Sequence, residues 1–436
     1  MYDIIIGRDK KDREKFGTKG TIFIGRQYVT MGQTTALSNN VYLDMVRSHI
    51  LFICGKRGSG KSYTQSVIAE GVSDLPIDIK ENLSIIFLDT MGIFWTMKYP
   101  NRREKDLLKE WNLEPKSCGI TIYTPSGFHN EYLKKGIPTD KPFSIQPSDL
   151  DVEDWCMTFD VPLTSDIGVL IERTIQGLNQ SGRQYGIEDI ISAIKEDKKS
   201  AQSVKDAVEN RFVNALNWGI FEKYGTPLKD ISVGGQVSVL DISAYSNMGN
   251  GWAIKSLVVG LLCKKLFIER MKARKEEEYI EVKAELHFEA AEMKKNPLVW
   301  LLLDEAHEFL PKEGKTTASN PLITILREGR QPGISLILAS QQPGKIHSDV
   351  MTQSDAVISH RLTAEVDIEA LSLLMQSYMR EGLNIKLDAL PRESGAALIF
   401  DDTNERLFPV KIRPKFSWHG GESPTAMTKK KEDFTL

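Results

Sequence analysis

Eight short stretches of the chain stay apolar from one residue to the next: "HILFIC" (49–54), "SIIFLD" (84–89), "GITIYT" (119–124), "QVSVLDI" (236–242), "LVWLLLD" (298–304), "ISLILAS" (334–340), "AVISH" (356–360) and "AALIF" (396–400). They are rich in leucine and β-branched residues, and apolar positions do not alternate with polar ones. Such runs fit strands covered on both faces, and the helical patterns between them fit the crossovers of a parallel sheet. The pattern predicts a doubly wound α/β fold, mainly parallel, with helices on both faces.

Two regions break this rhythm. Residues 151–230 lack strand patterns and read as several amphipathic helices with polar turns, a helical insertion into the α/β core. Residues 252–295 read as one long helix whose second half is heavily charged, a solvated face. The expected division is a short N-terminal β segment (1–45), a first part of the core (46–150), the insertion (151–230), a second part of the core (231–415) and a tail (416–436). The tail has little that could form a core.

Composition narrows the partners. The 436 residues are 41% hydrophobic and 26% charged, an ordinary globular balance. A formal net charge of -3 excludes a uniformly basic coat, so any nucleic-acid contact must come from a local basic surface. Cys54, Cys118, Cys156 and Cys263 are scattered without a CxxC pair, which fits a reducing, cytoplasmic compartment. The N-terminus has no signal-peptide core, and "LVWLLL" and "LVVGLLC" are too short to cross a bilayer. Membrane insertion is not expected.

The chemistry concentrates where the first apolar run meets a helical pattern. Gly55, Lys56, Arg57, Gly58, Ser59, Gly60, Lys61 and Ser62 fit GxxxxGK[ST], followed by Tyr63 in "SYTQSVIAEGVS". Glycines let the backbone wrap phosphate oxygens with its amides inward, and the helix start adds its positive end. Lys61 would neutralise the β- and γ-phosphates, and Ser62 would ligate Mg²⁺. A phosphate loop needs a strand-end acid for the metal. "VWLLLDEAHEFLP" supplies Asp304 for the Mg²⁺, in some cases through water, and Glu305 as the base for the attacking water. At least one strand separates the two motifs in sequence, and only an acid on a neighbouring strand is expected to reach the metal. Without an NKxD-like guanine reader or a sign of a second-substrate pocket, the expected cofactors are ATP and Mg²⁺, with water as acceptor.

The stretches "LDEAHEFLP" and "LREGRQPGISLILASQQPGKIHSDVMTQSDAVISHRLT" closely resemble the HerA-like branch of the FtsK–HerA ATPases. So do "IGRQYVTMGQTTALSNNVYLDMV", "GKRGSGKSYT" and "ALIFDDTNERLFPVKIRPKFSWHGG". The resemblance runs from about residue 20 to residue 420 and implies a RecA-like P-loop fold. It further implies a homohexameric ring that pumps double-stranded DNA through a central channel, beside a NurA-like nuclease or a defence effector. Carried over residue by residue, Gln341 falls at the polar γ-phosphate sensor. Arg330 falls at the finger that reaches a neighbour's ATP, with Arg327, about one helical turn earlier, as its rival. A finger in trans contributes about 10³–10⁵ in rate. The family's N-terminal barrel is expected to be much shortened, since 54 residues precede Gly55 and hold only a strand or two, "YDIIIG" and "GTIFIGRQYVT".

Candidate phosphate contacts for DNA are Arg173, Arg183, Lys198 and Lys199, expected to be salt-sensitive and sequence-tolerant. His307, His347 and His360 have the wrong spacing for a metal site and read as core or loop histidines. Two alternatives to a translocase stand. One is a coupling ATPase of a secretion or conjugation machine; the other is a non-motor hexameric scaffold that switches a partner effector.

Overall fold

The computed structural model describes residues 2–31, 34–287, 296–372, 383 and 385–421. Among these, thirteen strands form one sheet. In chain order they are β1 (Ile4–Ile6), β2 (Thr21–Met31), β3 (Thr34–Asp44), β4 (Ile50–Cys54), β5 (Leu83–Asp89), β6 (Ile120–Pro125), β7 (Lys141–Phe143), β8 (Val237–Asp241), β9 (Leu298–Leu303), β10 (Ile334–Ser340), β11 (Ala356–His360), β12 (Ala396–Asp401) and β13 (Arg406–Ile412). Their order across the sheet is β1-β3-β2-β13-β12-β11-β4-β10-β9-β5-β8-β6-β7. From β11 to β7 every neighbouring pair is parallel.

All eight apolar runs are strands, and the architecture is the α/β layering expected. Seven are parallel; the eighth, β12, runs antiparallel to β11 on one side and to β13, the next strand in the chain, on the other. Through β13 the sheet continues antiparallel into β2 and β3, so the N-terminal strands extend the same sheet. The P-loop strand and the acid strand are not neighbours either. β10 lies between β4 and β9, and the acid reaches across it.

Both faces are covered, which is why the strands are apolar throughout. Leu51 and Ile53 of β4 pack with Val67, Ile68 and Val72 of α1 (Lys61–Ser73). Phe52 and Cys54 point the other way, into the core built with the long helix and the insertion. The insertion comprises α2 (Val152–Thr158), α3 (Asp166–Gln180), α4 (Ile187–Glu196) and α5 (Gln202–Leu216). Its Trp155, Leu170, Ile171 and Phe212 are fully buried and continuous with the core of the sheet. Each such side chain adds about 1.5–3 kcal/mol.

The long helix, α6 (Gly251–His287), packs its first half through Ile254, Leu257, Leu261 and Leu266. Its charged second half exposes Tyr279 and Val282, and the remainder of that stretch lies outside the described residues. Among the described residues, no helix is long and apolar enough to cross a membrane. Of the expected tail, Phe416 and Ser417 are buried, and the part beyond 421 lies outside the described residues.

Candidate active site

The site lies at the C-terminal ends of β4, β9, β10 and β11, where parallel strands release their chains into loops on one edge of the sheet. β4 ends at Cys54, and the loop to α1 turns through glycines with left-handed φ: 151° at Gly55, 74° at Gly58 and 115° at Gly60. At Gly55 a side chain is excluded by contact as well, since a Cβ there would lie 2.5 Å from Ser59 Oγ. α1 starts at Lys61 with no acid in its first turn, so its positive end is left uncompensated for an anion. The loop side chains are ready for one. Lys61 is buried, with Nζ 3.4 Å from the Lys56 carbonyl, and Ser59 Oγ is buried without a partner. Lys56 and Arg57 are exposed beside it.

Asp304 follows the last residue of β9. Its Oδ2 accepts the Ser62 hydroxyl at 2.6 Å, and its Oδ1 accepts the Glu305 amide at 2.9 Å. A hydroxyl and a carboxylate in contact offer the hard oxygen donors that Mg²⁺ takes, with few protein ligands and the rest from water and phosphate. The residues therefore fit this ion.

Glu305 adopts φ 51° and ψ 43°, a left-handed conformation that costs a non-glycine residue about 1–2 kcal/mol. The strain turns its carboxylate towards Gln341, the first residue past β10, whose Nε2 donates to Oε1 at 2.6 Å. Oε2 is buried without a hydrogen-bond partner, with His307 Nδ1 3.6 Å away. Burial, reinforced by Asp304 and opposed by Lys61, raises the Glu305 carboxyl to about 7. That is near the value suited to a base working at neutral pH. His307 is held by Ser340 Oγ at 3.1 Å, and burial lowers its pKa, so it supports Glu305 as a neutral ring.

The two arginines differ. Arg327, in the last turn of α7 (Ser319–Glu328), donates from Nε to Asp349 Oδ2 at 2.6 Å and is held within its own chain. Arg330 lies past the end of α7, in the turn before β10, so the two do not share a helix. It is exposed and has no hydrogen bond or ion pair among the described residues.

Other expected residues are placed less directly. The Tyr63 hydroxyl accepts the Lys415 amide at 2.6 Å, and its ring lies edge-on 5.0 Å from His419, so Tyr63 faces the C-terminal segment. Of the DNA candidates, Arg173 is bound to Asp197 at 2.6 Å, close to exposed Lys198 and Lys199, whereas Arg183 lies beyond the far end of α3. The three histidines do not meet. His307 stands by Glu305, His347 precedes a short helix, and His360 is buried under the phosphate loop.

Sequence reasoning missed one large feature. Glu70 of α1, fully buried, accepts Arg413 Nη1 at 2.9 Å, the amides of Phe416 and Ser417, and the Ser417 hydroxyl. This fastens residues 413–417 along the helix that begins at the phosphate site. A glutamate amid the apolar positions of "SVIAEGVS" was the available signal.

The family described as "Helicase HerA, central domain" matches residues 24–273. The chain is 39% identical over 69 residues to the probable DNA double-strand break repair helicase HerA of Methanocaldococcus jannaschii, covering 16% of this chain and 14% of that protein. It is 30% identical over 101 residues to the DNA double-strand break repair helicase HerA of Pyrococcus furiosus, covering 23% and 18%. The matched stretches thus span less than a fifth of either relative. Among solved structures, VirB4 of Thermoanaerobacter pseudethanolicus aligns with a TM-score of 0.52 at 13% identity, covering 90% of this chain and 96% of that one. That likeness speaks for the fold alone.

Proposed function

Because the chain belongs to the HerA helicase central-domain family, and is an ATPase of that superfamily, we propose that it forms a homohexameric ring that moves double-stranded DNA. The names of two relatives, DNA double-strand break repair helicases, favour DNA-end processing; a nuclease beside the ring and a cytoplasmic setting belong to the same proposal. The observation that carries the reading is the meeting of Ser62 with Asp304 and of Glu305 with Gln341 on one sheet edge.

The phosphate-loop amides and Lys61 bind the β- and γ-phosphates. Ser62 and Asp304 hold Mg²⁺, whose charge offsets that of the phosphates. Water attacks the γ-phosphorus, the bond to the β-phosphate oxygen breaks, and Glu305 takes the proton of the water. Gln341 orients that water and senses the γ-phosphate. Arg330 of the adjacent copy neutralises the charge of the transition state, so an isolated copy is a poor enzyme. DNA phosphates are met by the exposed cations of the insertion, Lys198 and Lys199 foremost.

The test is ATP turnover with and without duplex DNA, alongside native mass with and without nucleotide. A ring that hydrolyses several-fold faster on duplex DNA is expected. Equal rates with and without DNA, or full-rate hydrolysis by a single copy, would sink the reading.

A further inference from the structure

We propose that His360, the last residue of β11, is a positioning residue that holds the phosphate loop and the first turn of α1 in the shape that binds phosphate. The inference rests on the reading of Gly55–Ser62 as a nucleotide site and adds a residue outside the motif. His360 is fully buried, 299 positions along the chain from Lys61, and both nitrogens of its ring are engaged. Nδ1 lies 3.1 Å from the Ala396 carbonyl, which can only accept, so Nδ1 carries the proton. Nε2 is then an acceptor, and it lies 2.9 Å from the hydroxyl of Thr64, in the first turn of α1. The same hydroxyl lies 3.0 Å from the Gly60 carbonyl and shares its single proton between the two.

The face of the ring supports the loop itself. A Cβ on Gly60 would lie 3.4 Å from His360 Cε1, and one on Gly55 would lie 2.7 Å from His360 Cβ. Two of the three glycines that bend the loop, Gly55 and Gly60, therefore rest on this one side chain. The next residue adds a backbone tie, with the Lys56 amide donating to the Arg361 carbonyl at 3.1 Å. The loop is thus suspended from the end of β11 at its start and at its exit into α1. Ala396, the first residue of β12, fixes the ring that does the holding. Burial, with Lys61 adding to it, lowers His360 to about 4, so at ordinary pH the neutral ring acts by hydrogen bonding and contact, not by charge.

The test is the dissociation constant of a fluorescent ATP analogue with Mg²⁺, measured on the full chain and paired with nucleotide-free melting temperatures. Thr64→Val keeps the shape and removes the hydroxyl. His360→Asn keeps a donor towards Ala396 and removes the Nε2 acceptor. Each is expected to weaken binding about tenfold, the worth of one buried hydrogen bond. Thr64→Ser should bind within about twofold of the parent, and the double variant should lose less than the two single losses combined, since both singles remove the Thr64–His360 bond. Unchanged affinity with a lowered melting temperature, or losses that add in the double variant, would overturn the proposal. If Thr64→Val does not fold, His360→Asn against Thr64→Ser makes the same comparison. A parent protein that binds no analogue would instead refute the nucleotide reading, for which Lys61→Ala is the reference.

Discussion

Replacing Glu305 by glutamine should stop hydrolysis while making the nucleotide-free protein more stable at alkaline pH. One of its carboxylate oxygens is satisfied by Gln341, and the other is buried without a partner. Burial, with Asp304 and Glu308 adding to it, raises the carboxyl to about 7 from an ordinary 4.5. Ionising a carboxyl so displaced costs the folded state about 3 kcal/mol if it is fully shielded. Partial exposure screens this to about 1–2 kcal/mol. The folded protein holds the proton more tightly than the unfolded chain, so this stability is complete below about pH 4.5. It is lost as the pH rises to about 7, and the penalty is constant above that. Glutamine does not titrate, still offers an oxygen to Gln341 and leaves the strained backbone in place, so the gain reports charge alone. Urea denaturation followed by tryptophan fluorescence at pH 5 and pH 8 measures it. The variant should be about 1–2 kcal/mol more stable than the parent at pH 8, with little difference at pH 5. Equal or lower stability of the variant at pH 8 would refute the electrostatic account. Turnover should fall about 10²–10⁴-fold with ATP still bound.

The same carboxyl should shape the parent's pH profile: kcat/KM is expected to rise with pH through about 7 as Glu305 ionises, and a flat profile from pH 6 to 8 would count against its role as base. Glu70→Ala leaves Arg413 charged and buried beside three unpaired donors, so denaturation should show a loss of about 3–5 kcal/mol. Arg327→Ala breaks only an exposed pair with Asp349 and should cost less than about 1 kcal/mol, with turnover nearly intact. Arg330→Ala should cut turnover about 10³-fold or more, and mixing it with Lys61→Ala subunits should restore part of the rate, because each defect lies in a different half of a shared site. No recovery at any ratio, with assemblies intact, would remove Arg330 from that role.

What could be read in the sequence was whatever depends on neighbours along the chain. β4, β5, β9 and β10 were legible because strands buried on both faces must be apolar at every position. β13 was not, because its burial alternates along "RLFPVKI", and nor was β3, whose middle reads "ALSNN". That β12 runs antiparallel to β11 is a matter of pairing across the sheet, which composition does not encode.

The site divides along the same line. Lys61 and Ser62 follow from a strand, a glycine loop and a helix start within a dozen residues, and Asp304 and Glu305 from the end of one apolar run. Their meeting across β10, the seat of His360 beneath Gly55 and Gly60, and the tie between Glu70 and Arg413 join residues hundreds of positions apart. Sequence alone determined which chemistry the chain carries, because phosphate binding needs a local run of amides and one lysine. Only the tertiary structure decided what holds that chemistry in place, because a buried hydrogen bond depends on where distant strands end, not on the residues beside them.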